Sequence, residues 1–192
     1  LVILFTRKFQ KPNVSQVVYF LGVGAGFMFV ELYFIKSFIL LVGDPVISFT
    51  VVVSAILIFS SLGGLWVQNK NERDIKLAMT ALIGTLILTV VSFELSVAHI
   101  LNLFETLRYV VAILFLLPVG FLMGLPFPLG MRHILNSPVQ RAYAWSVNGC
   151  ASVLSSVIAA QVAVSFGIPL IAAGAVLTYL LALMAAGKGT QG

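Results

Sequence analysis

The chain has 192 residues, of which 60% are hydrophobic and only 9% are charged, and its net charge is +5. Ordinary globular proteins carry charge on roughly a quarter of their residues, so this composition excludes a soluble domain and predicts an integral membrane protein. The positive charge lies in short clusters between apolar runs, which favours a role in membrane topology over binding to nucleic acid. The single cysteine, Cys150, excludes an intrachain disulfide framework.

The chain opens with LVILF, followed directly by the basic segment TRKFQK. We expect residues 1–16 to form the end of a preceding membrane helix and a cytoplasmic loop, within a longer protein. A helix needs about 20 apolar residues to cross the hydrocarbon core. By that measure the sequence predicts spans at 17–42, 46–67, 77–98, 108–125, 142–166 and 168–186, then a disordered cytoplasmic tail at 187–192. The predicted fold is therefore all-α, a polytopic membrane bundle of six transmembrane helices after the end of another.

The basic residues give an independent view of the topology. They precede span one, separate spans two and three, separate spans four and five, and follow span six. The alternate loops contain neither lysine nor arginine, apart from Arg108 at a helix edge. Because basic loops stay on the cytoplasmic side, this pattern predicts a cytoplasmic C-terminus. The basic residues concerned are Arg7, Lys8, Lys11, Lys70, Arg73, Lys76, Arg132, Arg141 and Lys188.

Span one contains the glycine-rich run LGVGAGF. It differs from the dinucleotide-binding GxGxxG, because its third glycine comes one position early and no soluble strand–turn–helix unit surrounds it. Gly22 and Gly26 instead form a small-xxx-small face, which lets another membrane helix approach closely. We predict a packing surface here.

Span one also carries two charged residues, Glu31 near its middle and Lys36 five residues later. That offset turns about 140° around a helix, so the two side chains do not form a good pair. An intramembrane carboxylate costs at least about 2.5 kcal/mol and is expected to face the bundle interior or a water-filled cavity. Two interpretations stay open: Glu31 binds a proton or cation, or it is a polar clamp between helices.

Spans two and five supply polar partners. In span two, Ser54 and Ser61 fall on one helical face. In span five, Asn148 and Ser152 are four residues apart on one face, and Gly149 keeps an adjacent face small. An asparagine has too many donors and acceptors to face lipid, so these residues indicate either hydrogen bonds between helices or contacts to a ligand. Aromatic Trp145 is typical of an anchor at the membrane interface.

The segment PVGFLMGLPFPLGMRH contains Pro126 and Pro128 within three residues. Such a pair cannot continue a regular helix, because backbone donors are lost and the residue before each proline avoids helical geometry. The break is either a loop at the membrane boundary or a broken helix at membrane depth, which must line a cavity or be buried in protein. Broken helices are typical of substrate sites in transporters.

The sequence predicts no catalytic residue, metal ligand or cofactor. It contains no HExxH, GxSxG or carboxylate dyad. His99 and His133 lie at span edges without metal-ligand spacing, and Glu94 is placed to reach the membrane interface.

Three runs, YFLGVGAGFMFVELYFIKSFILLVGDP, GFLMGLPFPLGMR and AYAWSVNGCASVLSS, together resemble the C-terminal membrane domain of bacterial spermidine-synthase-like multispanning proteins. These proteins are described as spermidine synthases fused to a major-facilitator-like transporter. The resemblance covers about Tyr19 to Ala185, and Asp44 stands where the family often has histidine. It implies that the motif positions are Glu31, Gly43, Asp44, Pro45, Pro126, Pro128, Gly130, Trp145, Asn148, Gly149 and Ser152.

The resemblance implies a bacterial inner-membrane protein whose partners are the lipid bilayer and a soluble aminopropyltransferase-like domain or other membrane subunits. The printed sequence contains no glycine-rich cofactor loop and no paired aspartates for a polyamine substrate. Any aminopropyl transfer would therefore need that soluble domain. Two hypotheses remain. The chain binds or translocates a small polar or cationic solute, or it is a non-catalytic membrane anchor in a larger complex. The residues expected to line the solute site are Glu31, Lys36, Ser54, Ser61, Asn148 and Ser152.

Overall fold

The computed structural model describes residues 13–67 and 73–189, and every regular element within them is an α-helix. Six segments of these ranges are long and apolar enough to cross a membrane, with α4 and α5 together forming one segment. The predicted all-α membrane bundle is therefore confirmed. The helices are α1 Val14–Val42, α2 Pro45–Trp66, α3 Arg73–Leu101, α4 Glu105–Met123, α5 Pro126–His133, α6 Pro138–Phe166 and α7 Ile168–Gly189.

The ends of the bundle differ from the predicted boundaries. Residues 1–12 of the predicted segment 1–16, the end of a preceding helix and a cytoplasmic loop, lie outside the described residues, as does the end of the tail at 190–192. Helix α1 begins three residues earlier than predicted because the Gln16 side chain accepts a hydrogen bond from the backbone N–H of Asn13, at 2.9 Å. Helix α7 continues to Gly189, so part of the predicted tail is helical.

Helix α1 is the centre of the bundle. It packs most extensively against α7 and α6 and also against α2, whereas α2 also packs against α4, and α3 packs against α4 and α7. Gly22 and Gly26 both lie against α7: a β-carbon would come 2.7 Å from the Thr178 carbonyl oxygen at Gly22, and 2.8 Å from the Tyr179 ring at Gly26. These glycines therefore serve packing within the chain itself.

The turn between α1 and α2 is built from Gly43, Asp44 and Pro45. Gly43 adopts a left-handed backbone with φ of 79°, which ends α1. The Asp44 carboxylate then accepts hydrogen bonds from the backbone N–H groups of Val46 at 2.8 Å and Ile47 at 3.0 Å. An aspartate N-cap followed by proline is a strong start for a helix, so Asp44 has a structural role in this turn.

The proline-rich segment breaks one membrane span into two helices. Helix α4 ends at Met123 and α5 begins at Pro126, with only Gly124 and Leu125 between them. Pro126 and Pro128 both lie in the first turn of α5, where a missing backbone N–H breaks no helical hydrogen bond. The sequence correctly predicts the break, but the segment is a helix start and not an extended loop.

Helix α5 is fixed to α1 by one aromatic side chain. The fully buried Tyr19 donates a hydrogen bond of 2.6 Å to the carbonyl oxygen of Pro126. Gly130 allows this approach, because a β-carbon there would collide with the Tyr19 ring. The short helix is therefore held at a set position beside α1.

Candidate ligand-binding groove

A groove of about 970 Å³ lies between α2 and α6. Its floor is α1, where Val23, Phe27 and Met28 face it. Helices α2 and α6 both pack on α1, yet among the described residues they make at most marginal contact with each other. The wall residues include Leu57, Ser60 and Ser61 from α2, and Trp145, Asn148 and Ser152 from α6.

The α4–α5 break forms one end of the groove. Gly124, Phe127 and Pro128 line it, and the Phe127 ring meets the Trp145 ring edge-on at 4.7 Å. Arg132, in the last turn of α5, lines the same end and is exposed. Helix α5, which follows the break, therefore places Arg132 at this end of the groove and packs Phe127 against Trp145 of α6.

Asn148 and Ser152 join α6 to α1. The Ser152 hydroxyl donates toward two carbonyl oxygens, that of Asn148 at 2.9 Å and that of Gly24 at 3.2 Å. Gly24 lets the helices touch, since a β-carbon there would lie 2.5 Å from the Asn148 carbonyl oxygen. Asn148 and Ser152, the polar stripe of α6, therefore both pack against α1 and line the groove.

The Asn148 side chain has hydrogen-bonding capacity left over. Its Oδ1 atom is buried and has no partner in the described structure. A buried polar atom without a partner costs about 1–3 kcal/mol, so such atoms call for an explanation. This oxygen faces α1, because a β-carbon on Gly24 would lie 2.9 Å from it, so only the amide NH₂ of Asn148 is left for a ligand in the groove.

Of the two serines predicted in span two to line the solute site, only one lines the groove. Ser61 lines the groove, and its hydroxyl donates to the Leu57 carbonyl oxygen at 2.6 Å. Ser54 is exposed and lies beyond the wall, which ends at Leu57. Gly149, predicted beside the polar stripe, is also exposed, and a β-carbon there would meet nothing within 4 Å.

Glu31 lies one helical turn beyond the groove. It follows Phe27 and Met28 by four and three residues, which places it on the same face of α1. Glu31 and Lys36 are both half-buried, and across the described ranges neither has a hydrogen bond or an ion pair. The structure does not bring them together with Asn148 and the serines around one cavity.

Three charged residues have roles that their sequence positions do not reveal. Arg132 was expected only to set the topology, but its side chain lines the groove. Glu94, which is exposed, accepts a hydrogen bond of 3.1 Å from the buried Tyr33 hydroxyl, joining α3 to α1. The Arg108 guanidinium donates to three carbonyl oxygens, those of Leu41, Leu101 and Leu103. Long-range partners of this kind carry no local sequence signal.

Neither a metal-binding cluster among the described residues nor a match to a known protein indicates the ligand of the groove. Within the part of the chain that the structure describes, no three His, Cys, Asp or Glu residues lie close enough to hold a metal ion. Comparisons with protein-family models, curated proteins and solved structures find no match to this chain.

Proposed function

We propose that this chain is the membrane domain of a spermidine-synthase-like multispanning protein and that it binds a small polar solute in the groove. The observation that carries the proposal is a space of about 970 Å³ between two helices that flank α1 without closing on each other. Ligand sites are concave and mostly apolar, with a few polar groups that fix the orientation of the ligand. Asn148, Ser61 and Arg132 are such groups here.

The charge of the groove narrows the solute class. Arg132 is the charged side chain among the described lining residues, and no carboxylate lines the groove with it. A cation in this low-dielectric site would lack a partner and would be repelled by the guanidinium. The proposal therefore favours a neutral or acidic polar group over a cationic one. Glu31 is the next polar group along the same face of α1, and a translocated solute would meet it after leaving the groove.

The alternative, a non-catalytic anchor in a larger complex, loses one of its supports. That hypothesis needs a small-residue surface open to a partner helix, and the predicted packing surface of Gly22 and Gly26 is the one that the sequence offers. Both glycines lie against α7 of the same chain, so bulky substitutions there would disturb the bundle itself. The proposed location is the bacterial inner membrane with a cytoplasmic C-terminus, which rests on the resemblance and on the distribution of basic residues.

Two serines of α2 provide a matched test. Ser61→Phe places a ring in the groove, whereas Ser54→Phe adds the same bulk on an exposed site outside it. We expect native mass spectrometry to detect a co-purifying small molecule on the wild-type protein and on Ser54→Phe, and to find it lost from Ser61→Phe. Equal adducts on both variants, with both proteins folded, would remove the groove as the binding site.

A further inference from the structure

The groove occupies only one half of the bundle. On α2 it runs from Leu57 to Leu65, the half of that helix nearer Trp66. On α1 and α6 it uses residues 23–28 and 145–152, which again belong to the half nearer α5. Eight residues of helix rise about 12 Å, close to the roughly 15 Å depth of one hydrocarbon leaflet. The groove is therefore about one leaflet deep.

The open side of the groove faces the surrounding lipid. Helices α2 and α6 do not close over it in the described chain, and large apolar side chains at its edges are exposed. Leu57 is 54% exposed, Leu65 63% and Trp145 61%. In a membrane-spanning bundle such an opening admits molecules from the bilayer, so the occupant has an apolar body.

Polar groups are ordered along the groove as they are in a phospholipid. Arg132 stands at the end of α5, where its guanidinium has no partner among the described residues. Trp145 begins the α6 wall, and Asn148 follows about 4.5 Å deeper. One turn deeper, Ser152 also lines the groove with its hydroxyl bonded to backbone carbonyl oxygens, and the apolar Met28 and Leu57 line the deep end. In a phospholipid the phosphate, the ester carbonyl groups and the acyl chains follow one another in the same order. The phosphate matches the Arg132 cation, an ester carbonyl matches the Asn148 amide, and an acyl chain matches the apolar wall.

Resting on the proposed ligand-binding role of the groove, we propose that its occupant is a membrane phospholipid with a net anionic headgroup. The phosphate pairs with Arg132, the Asn148 amide donates to an ester carbonyl, and one acyl chain lies along α1 between α2 and α6. This narrows the neutral or acidic polar group proposed for the groove to the headgroup of an acidic membrane lipid.

Fluorescence quenching by brominated lipids tests this assignment, because the chain has two tryptophans and one of them lines the groove. In a Trp66→Phe background, Trp145 alone reports contact with bromine atoms on acyl chains. The protein is reconstituted in bilayers of phosphatidylglycerol and phosphatidylcholine in varied ratio, with one of the two lipids brominated at a time. We expect phosphatidylglycerol to bind at Trp145 about fivefold more strongly, as expected for one basic residue near an anionic headgroup.

The variants separate the possible outcomes. Arg132→Gln is expected to abolish the preference, while Arg141→Gln, which changes an exposed arginine outside the groove, keeps it. Glycerol 3-phosphate, which carries the headgroup charge without chains, is expected not to relieve quenching. Relief by glycerol 3-phosphate, or no lipid preference in the wild type, would overturn the lipid assignment.

A second comparison shows whether the proposed function fails as well. Ser61→Phe is expected to reduce quenching by both lipids relative to Ser54→Phe, because its ring displaces the occupant. If this difference is present without a lipid preference, the groove has an occupant of another class and the binding role stands. If the two phenylalanine variants are quenched equally, both the lipid assignment and the binding role are contradicted.

Discussion

Replacing Gly124 with alanine is expected to lower the free energy of unfolding by about 3 kcal/mol, because the backbone of α2 touches the chain at Gly124, the residue directly after α4. A β-carbon at Gly124 would collide with the Ser60 carbonyl oxygen and lie 2.7 Å from the Ser60 carbonyl carbon and 2.9 Å from its Cα. Backbone atoms cannot rotate away as a side chain can, so the two helices must separate. Unfolding in mixed micelles with increasing SDS, followed by circular dichroism, measures the change.

Gly84 provides the matched control for this substitution. It lies in the interior of α3, and a β-carbon there would meet nothing within 4 Å. Gly84→Ala is expected to leave stability unchanged or to raise it by up to about 1 kcal/mol, since alanine favours the helix more than glycine does. Equal stability of Gly124→Ala and Gly84→Ala would show that the backbone of α2 does not touch the chain at Gly124.

Replacing Arg108 with methionine is expected to cost about 2–3 kcal/mol, because one guanidinium satisfies the carbonyl groups at the ends of two helices. Its donors lie 3.3 Å from the oxygen of Leu41 near the end of α1, 2.6 Å from that of Leu101 at the end of α3, and 3.0 Å from that of Leu103. Methionine keeps most of the apolar volume and removes every donor. The same SDS unfolding experiment gives the free energy.

Arg141→Met is the control for Arg108→Met. The Arg141 side chain is exposed and has no side-chain partner within the described ranges. An exposed arginine without partners contributes little, so this variant is expected to stay within about 0.5 kcal/mol of the wild type. A loss at Arg141 as large as that at Arg108 would mean that the guanidinium at position 108 does not cap the helices.

The fold was largely predictable because a membrane span is a local property of the sequence. An apolar run of about 20 residues must form its own backbone hydrogen bonds as a helix wherever it lies in the bundle. The predicted span 46–67 and the observed α2, Pro45–Trp66, accordingly differ by one residue. The restart at Pro126 was less predictable, because prolines signal that a helix stops but leave open whether a loop or a new helix comes next.

The groove was only partly predictable because it depends on which helices meet. Asn148 and Ser152 were visible as a polar pair on one helical face, and both line the groove. Ser54 and Ser61 also share a face, yet only Ser61 lines the groove, since the wall ends at Leu57. The sequence indicated only a topological role for Arg132. Its place beside the groove depends on the position of α5, which the buried Tyr19 holds against α1. The role of Glu31 stays a prediction.

The most direct test of the groove is diffraction from crystals grown in a lipidic mesophase, at a resolution that shows acyl chains. We expect elongated density between α2 and α6, with its polar end within hydrogen-bond distance of the Arg132 guanidinium and its chain beside Met28. Direct packing of Leu57 and Ser61 against α6, with no space left between the two helices, would contradict the binding groove and the function proposed for it.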